Sequence, residues 1–336
     1  MKEKMVVNSV VEGAKYSKTL YRELCANEDL IPLFSKDWWL DAVVGIDRWD
    51  VALVFRDGKI IASMPYIIKN RFGLQLCTLP ELTQYLGPWI KPSQAKYAKM
   101  LGQQKDIMTD LIEQLPRFDY FLQNWDYKQT NWLPFYWKGF QQTTNYTYVI
   151  DDMSSLDVVW SNFQEKIRTD IKKSTNRYNL TFLDNPSIDD FIRLNKKVYE
   201  RKNIKSPHSE QTFINLDKAC APRNARKIFI AVDEDGRPHA GVYIVWDKNS
   251  AYYLLSGSDS ELRNSGATSL CLWEAIRFAS TVTKEFNFEG SMIEPVERFV
   301  RGFGAKQKLV FNISKTTSLL LRLRSFLLSL KGKNTN

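Results

Sequence analysis

At 336 residues, with 44% hydrophobic, 25% charged and 13% aromatic side chains, the chain has the composition of an ordinary globular protein of about two domains, which excludes a fibre or a disordered chain. Its 47 Lys and Arg against 38 Asp and Glu give a formal charge of +9, which favours a polyanionic partner: nucleic acid, a phosphorylated ligand or a membrane surface. Cys25, Cys77, Cys220 and Cys271 lie far apart, so neither a metal site nor a disulfide framework is expected, and no apolar run reaches the ~18 residues needed to span a bilayer.

The opening segment MKEKMVVNSVVEGAKYSK lacks a signal-peptide core, so a cytoplasmic protein is expected. Residues 18–45 carry helical spacing interrupted at Pro32. VALVFR (51–56), the turn pair Asp57-Gly58 and KIIASMPYII (59–68) predict a hairpin, with Pro65 marking the second strand as an edge or bulged strand. A ring-rich loop (79–89), a helix (93–115) and a strand (118–125) follow. The spacing of Leu156, Val159, Trp160, Phe163, Ile167 and Ile171 predicts one long helix over 154–178. Lys166, Lys173 and Arg177 line one flank of its apolar stripe, and Arg168 and Lys172 the other. Either flank is a solvated surface or a phosphate holder.

KIFIAVDED (227–235), Asp235-Gly236 and RPHAGVYIVW (237–246) predict a second hairpin, AYYLLSGS (251–258) a third strand, and 266–282 a helix. In FNFEG (286–290), Phe286 and Phe288 alternate with Asn287 and Glu289, a short strand that delivers a carboxylate at its end. Ser291 stands at capping-box spacing from Glu294, and Val296, Phe299, Val300 and Phe303 then give a helix with one apolar face. Its charged residues include the i,i+4 pairs Glu294/Arg298 and Glu297/Arg301, which read equally as a salt-bridged surface. In SLLLRLRSFLLSL (318–330), Leu319, Leu320, Leu323, Phe326, Leu327 and Leu330 share a face. This segment is too short to cross a membrane; it would lie on one, aided by Arg324, Lys331 and Lys333, or dock on protein.

The second half repeats the order of the first. Asp57-Gly58 falls on Asp235-Gly236, and Ala62 on Ala240, at an offset of 178 residues, while Trp137-Lys138-Gly139-Phe140 is similar to Val300-Arg301-Gly302-Phe303. The shared order predicts a duplicated domain: 1–150, 151–315, and an amphipathic basic tail at 316–336. No GxSxG, P-loop, HExxH or Rossmann pattern is present, and His208 and His239 are the only histidines, so carboxylates, backbone amides and basic groups are the available reagents.

IRTDIKKS (167–174), YYLLSGSDSELRNSGATSLCLWEAIRFA (252–279) and FNFEGSMIEPVERFVRGFGAKQ (286–307), with LGPWI (86–90) and NWLPFYWKGF (131–140), resemble the FemAB-like branch of the GNAT acyltransferase superfamily. The resemblance implies an α/β protein of two tandem GNAT-like domains. It implies transfer of an acyl or aminoacyl group, from aminoacyl-tRNA or a coenzyme A thioester, to an amine of a phosphorylated or nucleotide-linked cell-envelope precursor, with no tightly bound cofactor and no metal. A coenzyme A-dependent N-acetyltransferase acting on a nucleotide-linked amino sugar is the alternative, and a catalytically silent protein that binds RNA or a membrane surface is another. By the same resemblance the helix from Gly266 offers its amides to a phosphate, after a turn Arg263-Asn264-Ser265-Gly266. Thr268 stands where that pattern has a small residue. Amides near Leu255 and Ser256 would polarise the acyl carbonyl, and Glu289 or Asp259 would relay the proton. Arg168, Lys172, Lys173, Arg177, Ser291 and Arg298 would hold phosphates, and Tyr252, Tyr253 and Phe303 would stack on substrate.

Overall fold

The computed structural model describes residues 17–324, so the part of the tail from 325 onward, including Lys331 and Lys333, lies outside the described residues. The chain divides into two compact units, Met1–Thr144 with Val310–Asn336, and Asn145–Leu309, where the sequence suggested boundaries after 150 and 315.

In the first unit a helix over 17–27 (α1) and α2 (Asp37–Val44) precede strands β1 (Trp49–Arg56) and β2 (Lys59–Ile67). Asp57 and Gly58 have φ of 50° and 72°, so the predicted hairpin closes through a tight turn with two left-handed residues. β3 (Lys69–Arg71), β4 (Leu74–Cys77), β5 (Trp89–Ile90), α3 (Tyr97–Glu113), β6 (Tyr120–Asn124), α4 (Leu133–Trp137) and β7 (Gln141–Ile150) follow. β5 pairs only with Ala62 and Ser63 of β2, so Pro65 falls where that edge is open and no ladder bond is lost. The core is a ring stack: Trp125 meets Phe135 at 4.7 Å, Phe135 meets Phe140 at 5.0 Å and Phe140 meets Phe121 at 5.3 Å.

In the second unit the expected single helix over 154–178 is two, α5 (Leu156–Asn162) and α6 (Glu165–Asn176). Phe163 and Gln164 between them are extended, and Gln164 N donates to Gly302 O at 2.8 Å rather than to a helical carbonyl. The apolar periodicity survived the break because both helices cover the same core. β8 (Thr181–Phe182), α7 (Ile188–Lys202), α8 (Glu210–Cys220), β9 (Arg226–Val232), β10 (Pro238–Trp246), β11 (Ser250–Ser258), α9 (Ala267–Ala279), β12 (Glu285–Asn287), α10 (Glu294–Arg301) and β13 (Lys306–Thr316) complete the chain. The strands of this unit run in the order β7-β12-β11-β10-β9-β8. Val242 and Ile244 of β10 join the core beneath α6 and α9, whereas Tyr243 between them packs on Phe191 of α7 and Phe213 of α8.

The second hairpin differs from the first. Of its expected turn pair only Gly236 has positive φ, and the carboxylate of Asp233 ties a longer loop by accepting from Asp235 N and Arg237 N. The repeated Gly-Phe ending is also only partly equivalent. Phe140 and Phe303 are both core residues, but the left-handed turn at Gly139 (φ 79°) is made in the second unit by Gly304 (φ 69°), not by Gly302. Both halves of the sequence still run hairpin, helix, strand, short helix, strand, with β7 and β13 each crossing from one unit into the other.

Asp217 on α8 anchors the β9–β10 pair, accepting from Tyr243 OH at 2.9 Å and pairing with Arg226 at 2.9 Å. Asp217→Ala leaves a buried phenol and a guanidinium without their acceptor, so urea melts are expected to show a loss of about 3 kcal/mol.

Candidate active site at the strand splay

β11 and β12 are parallel neighbours over Ser250–Tyr252 and Glu285–Asn287 only. β12 then stops while β11 continues to Ser258, so from Tyr253 onward that edge of β11 has no strand beside it. A register shift opposite Tyr243 and Ile244 leaves Leu254 as an extra residue, a bulge that bends the strand at the same point. Such an edge is a template for an extended ligand, because its amides and carbonyls are already aligned.

α9 begins at this end of the sheet. Its N-cap is Gly266, at φ 82°, where a Cβ would lie 2.4 Å from Asp170 O. Ser174 Oγ of α6 donates to Ser265 O at 2.8 Å, so the second half of α6 is locked onto the turn that starts α9. On a 100° projection Lys173 and Arg177 occupy the flank of α6 that Asp170 shares, beside this turn. Lys173 is 3.3 Å from Asp170, Arg177 is exposed, and Arg263 is exposed in the turn itself. Positive helix-end dipole and these cations coincide.

Other expected phosphate ligands are not brought to this place. Lys172 is exposed on the opposite flank of α6. Arg168 is committed to the end of α5: its guanidinium donates to Ser161 O and Phe163 O, the carbonyls freed by the break before α6, which corrects its assignment as a phosphate holder. The Ser291–Glu294 capping box does not form. α10 starts only at Glu294 with Ile293 as N-cap, and Ser291 Oγ instead accepts from Ile293 N at 3.0 Å. Arg298 is exposed on α10, and Glu297 pairs with Arg301 at 2.8 Å while accepting from Tyr148 OH at 2.6 Å. Phe303 is wholly buried among Phe163, Phe288 and Phe299, so it packs the core and cannot stack on substrate.

The acid–base candidates separate sharply. Asp259 accepts from Lys197 Nζ at 2.6 Å and from Glu261 N at 2.9 Å, and chiefly the lysine holds its carboxyl below the usual range. An anion favoured in this way is a weaker base than a free carboxylate. Glu289 stands two residues beyond the end of β12 with φ of 58°, and Gly290 (φ 59°) follows, where a Cβ would lie 2.1 Å from Tyr146 O. Both Glu289 carboxylate oxygens are shielded from solvent. Its N–H donates to Asn287 Oδ1 at 2.8 Å, and Thr147 Oγ1 donates to the same oxygen at 2.6 Å. Asn287 is fully buried, and with its oxygen doubly engaged its Nδ2 is left without a partner among the described residues. On β11, Ser256 O accepts from Asn195 Nδ2 of α7 at 2.7 Å, and burial pushes the Tyr253 phenol up to about 12 despite a hydrogen-bonding Ser256. His239 is a buried structural residue, with Nε2 3.1 Å from Asp233.

The sequence reading missed Asn195, Thr147 and Asn287 as members of this site. Asn287 had a signal, a polar residue between two phenylalanines in a strand; the other two had none, because nothing in their own segments marks which strand they meet.

Residues 161–288 match the acetyltransferase (GNAT) domain family. The structure of FemX aligns with a TM-score of 0.59 over 89% of this chain and 95% of that chain, at 11% identity. The chain carries the fold of FemX, with its GNAT-family match lying in the second unit. Two further structures share it: the C-terminal domain (DUF2156) of a putative lysylphosphatidylglycerol synthetase from Agrobacterium fabrum (TM-score 0.56, 12% identity, 90% and 92% covered) and L-PGS from Bacillus licheniformis (0.51, 11%, 84% and 89%). No curated protein matches the chain in sequence. In the second unit the matched segment holds β11, the turn at Gly266, α9 and β12, but ends one residue before Glu289.

Two substitutions test this construction. Gly266→Ala puts a methyl group against Asp170 O in a backbone conformation that disfavours side chains, so it is expected to cost roughly 2 kcal/mol or more in a denaturant melt. Because the folded-state value of Asp259 is depressed, its ion pair stabilises the fold above the unfolded value near ~3.9, and that stability is lost as pH falls through the folded value. Asp259→Asn is therefore expected to be about 1 kcal/mol less stable than the parent at pH 7, with the difference closing in acid.

Proposed function

We propose that the second unit catalyses acyl or aminoacyl transfer to an amine, with the donor extended along the open edge of β11. The observation that carries this reading is the early end of β12, which leaves main-chain groups from Tyr253 to Ser258 beside the amino end of α9. A donor phosphate at α9 would meet helix amides, Arg263 and the Lys173–Arg177 flank, placing its acyl group toward the Leu254 bulge. The acceptor nitrogen then forms its bond to the acyl carbon. The ester or thioester bond to the carrier breaks, and the proton lost by the amine passes to Glu289 and on to the leaving oxygen or sulfur. Main-chain amides near Leu255 and Ser256 stabilise the oxyanion.

The acceptor we propose is an amine of a phosphorylated or nucleotide-linked cell-envelope precursor. Support comes from the basic flank and from the fold shared with the C-terminal domain of a putative lysylphosphatidylglycerol synthetase, whose name includes a phospholipid. The donor is an aminoacyl-tRNA or an acyl-coenzyme A. Thr268, half-buried in the first turn of α9 where the pattern has a small residue, favours the first.

Transfer assays with radiolabelled aminoacyl-tRNA and with acetyl-coenzyme A, against amine-bearing envelope precursors, test the reading. Glu289→Gln is expected to lower kcat/KM by about 10²-fold or more with an unchanged melting temperature. A full rate in that variant removes Glu289 as the base. Transfer from acetyl-coenzyme A alone, onto a nucleotide-linked amino sugar, would replace the proposed donor and acceptor.

A further inference from the structure

The first unit carries a surface that this chemistry does not use. Where β13 ends, Thr317 N and Ser318 N donate to Asp119 O at 2.9 and 3.3 Å, and the chain turns at once into a helical segment over 319–324. Its leucines face outward: Leu319, Leu320 and Leu323 are 78%, 74% and 56% exposed. On α4, which Lys315 of β13 reaches by donating to Lys138 O just past its end, Tyr136 and Trp137 are 59% and 57% exposed. Single exposed apolar residues are ordinary, but three leucines on one helical segment, with two rings on the helix that Lys315 ties to β13, make a patch.

Cations are built into the same patch. Lys315 Nζ donates to Lys138 O at 2.6 Å, directly after Trp137, and Arg322 Nε and Nη2 donate to Thr316 O at 2.9 and 2.7 Å. The acidic neighbours are Glu113, 3.0 Å from Lys138 Nζ, and Asp119, whose Oδ2 accepts from Gln75 N. Lys315 is held below its ordinary value by desolvation first, and then by the like charges of Arg322 and Lys138. An anion brought here would relieve that repulsion.

The two halves of the patch together select the partner. A dissolved polyanion would engage the cations and gain nothing from the leucines. A bilayer surface accepts both, with apolar groups at the acyl boundary, aromatic rings at headgroup level and cations on lipid phosphates. We propose that this face of the first unit, formed by Tyr136, Trp137, Lys138, Lys315, Arg322 and the leucines of 319–324, docks peripherally on a membrane rich in anionic phospholipid. This docking is independent of the transfer reaction assigned to the second unit.

Co-sedimentation with vesicles tests it, using phosphatidylcholine alone and phosphatidylcholine with about a third phosphatidylglycerol. The full chain is expected to pellet with the anionic vesicles, less so as salt rises, and not with phosphatidylcholine alone. Lys315→Gln with Arg322→Gln is expected to weaken binding about 30-fold, at about fivefold per basic residue near an anionic surface. Leu319→Ser, Leu320→Ser and Leu323→Ser together are expected to abolish pelleting while leaving the melting temperature unchanged, since these side chains are exposed. A leucine variant that pellets like the parent would overturn the proposal and make the patch a site for polyanions such as RNA. Failure of the parent chain to pellet would overturn it outright.

Discussion

The site depends on a mismatch in strand length. β11 has nine residues and β12 three, and they are paired only through Tyr252 and Asn287. What stops β12 is local and specific. Asn287 Oδ1 is bonded to Thr147 and to the amide of Glu289, and two successive left-handed residues, Glu289 and Gly290, then turn the chain against Tyr146 O. A left-handed non-glycine residue is costly in isolation and persists where its surroundings over-determine it. Here that strain accompanies a solvent-shielded carboxylate two residues beyond the end of β12.

A second lock sets the other wall. Gly266 permits the close approach of α9 to Asp170, and Ser174 seals it through Ser265. Because α6 is fixed by those contacts, its Lys173–Arg177 flank is fixed beside the helix amides as well. The break between α5 and α6 belongs to the same arrangement: Gln164 is held by Gly302, and Arg168 caps the carbonyls the break releases. One basic side chain of α6 is thereby committed to structure, while on the other flank Lys173 pairs with Asp170 and Arg177 stays exposed.

Much of the fold was legible in the sequence, because the Asp57-Gly58 turn of the first unit and, in the second, the strands around Asp235-Gly236 and the apolar stripe of α6 are all local patterns. Failures occurred where a distant residue decides a local question. Phe163 and Gln164 carry helical periodicity, yet Gly302, far along the chain, takes the amide that a continuous helix would use. Ser291 and Glu294 have capping-box spacing, but the left-handed pair before them delays the start of α10. Phe303 looked available for stacking because a sequence shows an aromatic residue and not the three rings around it. Asp259 and Glu289 were indistinguishable as carboxylates until Lys197 was placed on one and solvent removed from the other.

The account rests most directly on the claim that the unpaired edge of β11 holds the donor. Amide hydrogen exchange on the full chain, with and without aminoacyl-tRNA or acetyl-coenzyme A, measures that occupancy residue by residue. New protection is expected within Tyr253–Ser258 and in the first turn of α9, with the β1–β2 hairpin of the first unit unchanged. Donor binding that leaves the Tyr253–Ser258 amides exchanging as before would contradict it.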